Sequence, residues 1–164
     1  MYGLTMVSVA ELAGVSVRRG EKLLLDDVNL SIDEGQRWVV IGPNGAGKTT
    51  LLSILATTLY PTKGVVGILG EVLGAVNVFE LRPRIGLTSA SMAHRIPYRE
   101  KVGDVVVSAS YAINGRWHEH YDEMDFERAG RLMDYFGVAH LADRTYGTLS
   151  EGERKRVEIA RAMM

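Results

Sequence analysis

Residues Gly42 to Thr49 read GPNGAGKT, a complete instance of the spacing G-x-x-x-x-G-K-[ST]. Glycines at that spacing let the backbone curl until successive N–H groups face one point, and the start of a following helix adds a positive dipole end; an anion is what such a nest holds. Gly42, Pro43 and Asn44 lead into the loop, and Gly45, Ala46 and Gly47 are expected to offer amides to a phosphate chain. Lys48 adds a point charge for the β- and γ-phosphates, Thr49 a hydroxyl ligand for Mg²⁺, and Thr50 a contact to the α-phosphate. The competing reading is a glycine-rich left-handed turn beside an incidental lysine.

A second candidate lies at the other end, in TLSEGERKRVEIARAMM, Thr148 to Met164. It reads as a helix whose tip handles a phosphate, although Ser150 and Glu153 also form S-x-x-E, the capping box that starts ordinary helices. RWHEHYDEMD sets His118 and His120 among Glu119, Asp122 and Glu123. His-x-His shares one face only on a strand, and this stretch reads as a polar, solvated connection rather than a metal site. His94 and His140 are isolated, and the clusters Arg18–Arg19 and Arg154 to Arg156 read as solvated faces.

The loop needs a strand before it and a helix after it. QRWVVIG supplies the first and KTTLLSILATTLY the second, about three turns with Leu51, Leu52, Leu55 and Leu59 apolar and with Pro61 and Gly64 beyond. Upstream, VSVAEL, GVSVRRG and LLLDDVNLSIDEG read as strands; downstream, so do GVVGILG and RIGLTSA. From Val102 the pattern turns helical, first in VGDVVVSASYAI and then in DFERAGRLMDYFG, where Phe126, Ala129, Leu132, Met133 and Phe136 share a face and Gly137 is the stop. No internal repeat, low-complexity tract or linker interrupts the chain.

The 164 residues are 46 % hydrophobic and 24 % charged, the composition of one ordinary globular domain. A formal net charge of -1 argues against nucleic acid or an anionic membrane surface as partner. The absence of cysteine removes disulfides, thiol nucleophiles and cysteine metal sites, and fits a cytoplasmic residence. MYGLTMVSVAELAG lacks a basic segment followed by an unbroken apolar run, and no charge-free apolar stretch approaches about 18 residues, so neither export nor membrane spanning is expected.

With the loop in place, TLSEGERKRVEIARAMM resembles the signature segment of ATP-binding cassette (ABC) ATPases, usually LSGGQ followed by a helix reading Q-R-v-x-i-A-R-A. The counterparts are Leu149, Ser150, Glu151, Gly152 and Glu153, then Arg156, Val157, Ile159, Ala160, Arg161 and Ala162. LLLDDVNLSIDEGQRWVVIGPNGAGKTTLLSILA is similar to the family's N-terminal strands and P-loop, so the resemblance covers essentially the whole chain. It implies an α/β fold, a P-loop NTPase core with an N-terminal antiparallel β subdomain and a helical subdomain. That makes one incomplete domain over 1–164: a β-rich and P-loop core over about 1–90, a helical subdomain over 91–147 and the signature helix over 148–164. It further implies ATP and Mg²⁺ as ligands and a second cassette paired head to tail. In that pairing Ser150 and the Gly152 amide meet the γ-phosphate of a nucleotide held mainly by the partner. Transmembrane permease subunits, reached from the cytoplasmic face of the membrane, are implied as well. SASMAHRIPYREK lies where the family meets its partner's coupling helix, and Met92, Ile96, Pro97 and Tyr98 suit a partly apolar groove, as they suit an ordinary surface loop.

The sequence departs from the family in four places. Ala90 stands where the family carries a glutamine that touches Mg²⁺ or the attacking water, with Ser89 as a weak substitute. Val17 or Arg18 stands where an aromatic stacks on adenine. Glu151 and Glu153 replace Gly and Gln, setting two carboxylates near an approaching triphosphate; Glu151 is expected to point aside. Finally, the Walker B strand with its Asp-Glu does not follow Ala162 before the sequence ends at Met164, so the hydrolytic carboxylates are absent and RWVVI is expected to expose an apolar edge. The implied function is the ATP-binding subunit, or its front part, of an ABC-type transporter. A soluble ABC-type protein, a binding-only or regulatory fragment and, more distantly, a P-loop kinase are the rival expectations.

Overall fold

Two β-branched runs joined through Gly20 and Glu21 make the first structure in the chain: β1 (Ser8–Arg19) and β2 (Lys22–Asp33) pair antiparallel from Arg19↔Lys22 out to Ser8↔Asp33. This is a computed structural model that describes residues 8–115 and 120–164. β1 buries Ala10 and Leu12 in its first half and Val15 and Val17 in its second. These pairs have opposite parity, and the register slips between them. A bulge adds the odd residue that keeps both halves facing one core. β3 (Lys63–Ile68) joins the free edge of β1 and the short β4 (Glu71–Val72) follows, giving the antiparallel order β2-β1-β3-β4. The β subdomain is therefore as expected.

Helix α1 (Lys48–Leu55) is shorter than its sequence pattern. Ala56 caps it, Thr57 turns to φ 55, and the buried side chain is Ile54, while Leu52 is 49 % exposed. Leu59 lies beyond the helix, so the face expected from Leu51 to Leu59 is not the one buried.

Two expected strands, QRWVVIG and RIGLTSA, are not strands: residues 36–43 and 85–89 carry no ladder. Extended backbone becomes a strand only when a neighbour takes its N–H and C=O groups, and among the described residues none pairs with either. In the first, Val39 and Ile41 are 82 % and 88 % exposed, the apolar exposure expected there.

The chain divides into two compact units, Met1–Val78 and Phe79–Met164. After the short α2 (Val78–Leu81), the second unit is built by α3 (Ala90–Ala93), α4 (Val102–Val107), α5 (Glu123–Tyr135) and α6 (Glu151–Ala162). Val102, Val105, Val106 and Val107 are fully buried. A valine run is a weak helix former; it is helical here because it packs against Ala129 and Met133 of α5 and Val157 and Ala160 of α6. Each fully buried valine contributes roughly 1.5–3 kcal/mol. Of the face expected on α5, Ala129 and Met133 are buried and Leu132 and Phe136 pack partly against them, whereas Phe126 is half exposed. Asp122, read beside His118 and His120, is the N-cap of α5 in a capping box with Asp125. His118 and Glu119 lie outside the described residues.

Candidate functional site

Gly47 sits at φ 90, ψ 1, and is the N-cap from which α1 starts. A Cβ there would meet Leu24 O at 2.6 Å and Leu25 Cδ2 at 2.8 Å, so the loop lies directly on β2 and only glycine fits. Lys48 folds back over the loop it follows: its Nζ donates to Gly42 O at 2.6 Å and to Pro43 O at 2.8 Å. Ala46 N donates to Pro43 O at 3.3 Å. Among the described residues, the amides of Gly45 and Gly47 find no acceptor. The first closing bond of α1 runs from Leu51 N to Gly47 O at 2.9 Å, which leaves the N–H groups of Lys48, Thr49 and Thr50 without intrahelical partners. Thr49 is exposed.

Residues 42–50 thus gather unpartnered amides, one ammonium and the hydroxyls of Thr49 and Thr50 at a helix start. Such a set can hold an oxyanion chain and offer a hydroxyl oxygen to a cation. Of the two residues read for base stacking, Val17 is 4 % exposed and faces the sheet core, whereas Arg18 is exposed.

In the second unit, Ser150 is the N-cap of α6. Its amide and its hydroxyl both donate to Glu153 Oε2 at 2.7 Å, and Glu153 N donates back to Ser150 Oγ at 3.3 Å. The capping-box reading is therefore correct as far as it goes. The Ser150 hydroxyl and then its amide hold the Glu153 carboxyl below its ordinary value. Gly152 is exposed, and a Cβ built on it meets nothing within 4 Å. Leu149 is buried, anchoring the turn that leads into the tip.

A cavity of about 220 Å³ opens beside α6, its wall including His94, Tyr98, Tyr146, Glu151, Lys155 and Glu158. Glu151 thus lies on the cavity side of the helix. Of the four residues read as an apolar groove, Tyr98 is in this wall and half exposed, but Ile96 is 1 % exposed and belongs to the core. Ala90 also lines the cavity, and the Ser89 hydroxyl is committed to capping α3, accepting from Met92 N at 3.1 Å.

Sequence reading missed a buried polar pair: Tyr146 OH donates to Glu158 Oε1 at 3.0 Å, with Lys155 Nζ donating to Glu158 Oε2 at 2.8 Å. Burial first, and the bond to Glu158 second, push the Tyr146 phenol above its ordinary value. Arg161, also buried, donates to Ile113 O at 2.6 Å and Asn114 Oδ1 at 2.9 Å; desolvation lowers its pKa. The available signal was the helical spacing of Glu151, Lys155, Glu158 and Arg161, which looks like a solvated stripe.

The sequence pattern of the ABC transporter family matches residues 25–164. The chain is 37 % identical over 157 residues to the uncharacterized ABC transporter ATP-binding protein YlmA of Bacillus subtilis (strain 168), covering 95 % of this chain and 59 % of YlmA. It is 36 % identical over 156 residues to the hemin import ATP-binding protein HmuV of Gloeobacter violaceus, covering 92 % and 53 %. The chain therefore spans less than two thirds of the length of these relatives. Among solved structures it is similar to the ATP-binding cassette MJ0796 in a dimeric post-hydrolysis state bound to ADP and Pi, with TM-score 0.76 and 26 % identity over 94 % of this chain and 68 % of that one. The ABC transporter cassette MJ1267 gives TM-score 0.73 and 25 % identity over 96 % and 65 %. Fold, loop and matched residues converge on one assignment: the chain belongs to the ABC transporter family and has the fold of its ATP-binding cassettes.

Proposed function

We propose that this chain grips MgATP in the loop Gly42 to Thr50 and serves as an ATP-binding subunit, coupling nucleotide to solute movement through permease subunits at the cytoplasmic face of a membrane. The observation that carries the reading is the Lys48 ammonium held on the Gly42 and Pro43 carbonyls of a loop whose Gly45 and Gly47 amides find no acceptor among the described residues. A phosphate chain satisfies those donors and takes the place of the two carbonyls on Lys48. Thr49 supplies the hydroxyl for Mg²⁺, the cation that neutralises phosphate charge when bound.

At the other end, Ser150, Gly152 and the positive end of α6 meet the γ-phosphate of a nucleotide held by a second copy. Leu149 is the buried anchor of this segment and Glu151 faces the cavity; the Ser150 hydroxyl, whose proton goes to Glu153 without nucleotide, turns that proton to the phosphate, while Glu153 keeps the Ser150 amide. The dimeric state named for MJ0796 supports the pairing, and the import proteins among the relatives, named for hemin and phosphonates, support uptake as the direction.

Titration of a fluorescent adenine nucleotide with Mg²⁺, followed by anisotropy and by sedimentation, tests the reading. Saturable binding displaced by ATP, with a shift from monomer to dimer, is expected. Binding indifferent to Mg²⁺ and to competing ATP would refute it.

A further inference from the structure

We propose that the Tyr146–Glu158 pair positions the phosphate-facing end of α6 and passes to Ser150 and Gly152 any displacement of the cavity wall at Tyr98. The proposal rests on the reading that Ser150 and Gly152 meet a phosphate, and it assigns that site two positioning residues.

Tyr146 and Glu158 are 2 % and 7 % exposed. A buried carboxylate persists only when donors satisfy it, and Glu158 has Tyr146 OH at 3.0 Å, Lys155 Nζ at 2.8 Å and, more loosely, Thr88 Oγ1 at 3.4 Å. Tyr146 opens the 3-10 turn Tyr146–Thr148, which runs through the buried Leu149 into the N-cap Ser150. Glu158 sits roughly two turns down the same helix. One hydrogen bond therefore ties the entry of α6 to its body.

The same turn is stitched to the cavity wall. Tyr146 N donates to Glu100 O and Gly147 N to Tyr98 O, both at 2.8 Å, and the Tyr98 and Tyr146 rings lie 6.3 Å apart. Gly147 has no side chain because a Cβ there would meet Tyr98 O at 2.8 Å and Tyr98 Cδ1 at 2.9 Å. Tyr98, Tyr146, Glu151 and Glu158 all line the cavity, and a shift of Tyr98 reaches the tip through these backbone bonds and the close Gly147 contact.

Amide hydrogen exchange on the whole chain is the test. Tyr146→Phe deletes only the hydroxyl and should speed exchange of the Glu153 and Arg154 amides, which donate to Ser150, about 5-fold, with the α5 amides of Ala129 to Met133 at wild-type rates. Glu158→Gln keeps an acceptor for the hydroxyl and should stay within about 2-fold of wild type, whereas Glu158→Leu should match Tyr146→Phe and the two together should be no worse than one. Tyr98→Ala should speed exchange at the tip about 3-fold, and this effect should vanish in the Tyr146→Phe background. If Tyr146→Phe does not fold, the same comparison in Glu158→Leu decides between the outcomes. Equal acceleration in α5, additive effects, a Tyr98→Ala effect that survives loss of the pair, or an unchanged tip overturns the proposal. Ser150→Ala reads the underlying site separately: if MgATP-dependent association survives it, the phosphate role of Ser150 fails whatever the exchange rates show.

Discussion

Gly47 carries more of the fold of the loop than any other residue in it. Alanine at that position would have to hold φ 90 with its methyl 2.6 Å from Leu24 O, which costs about 1–3 kcal/mol. Gly47→Ala is expected to lower the urea midpoint and to weaken nucleotide binding together; unchanged values in both would mean that the loop does not lie on β2. Glu153 gives a prediction in pH. Its folded pKa lies below the ordinary 4.5, so as pH falls the unfolded chain takes up the proton first. The stabilisation is complete above the ordinary value and is lost as pH drops below it, through the folded value. Thermal unfolding from about pH 6 to about pH 3 should therefore show a shallower acid limb in Glu153→Gln than in the wild type. At this scale the loop was legible because each residue type in G-x-x-x-x-G-K-[ST] is demanded by local geometry. The Tyr146–Glu158 bond was not, because a glutamate in a charged helical stripe looks the same whether water or a tyrosine lies opposite.

Among the elements, β1, β2 and β3 were readable as β-branched runs bounded by turn residues, although VSVAEL and GVSVRRG, read as two strands, are one bulged strand. Residues 36–43 and 85–89 have the composition of strands and lack the partner, and strand propensity expresses packing against neighbours more than a backbone preference. The exposed side chains of Trp38, Val39 and Ile41 on an unpaired segment form an edge that invites association with other chains. Nucleotide-free protein is expected to gain apparent mass with concentration in light scattering, and Ile41→Lys should suppress that gain; an unchanged gain would place the contact elsewhere. α1 was read too long because Leu55 and Leu59 continue a helical spacing, whereas Thr57, fully buried at φ 55, ends the helix early. α5 was read nearly correctly from its apolar face and the left-handed Gly137 that stops it, whereas the capping box that starts it at Asp122 was read as part of a polar connection.

For the molecule as a whole, family membership followed from two motifs in order, and the matches over residues 25–164 bear it out. Among the described residues no helix is long and apolar enough to cross a membrane. If Ser150 and Gly152 complete a partner's nucleotide site, Ser150→Ala should weaken MgATP-driven association about 5- to 30-fold, on the scale of one or two charge-assisted hydrogen bonds. Nucleotide binding by the isolated chain should be untouched. Sedimentation at matched concentrations separates the two effects. The most direct check of the central claim is calorimetric titration of MgATP into the folded chain and into Lys48→Ala. The loop geometry predicts saturable heat with one nucleotide per chain, weakened on the order of 100-fold by the substitution; equal heats from both, or none from the wild type, would contradict it.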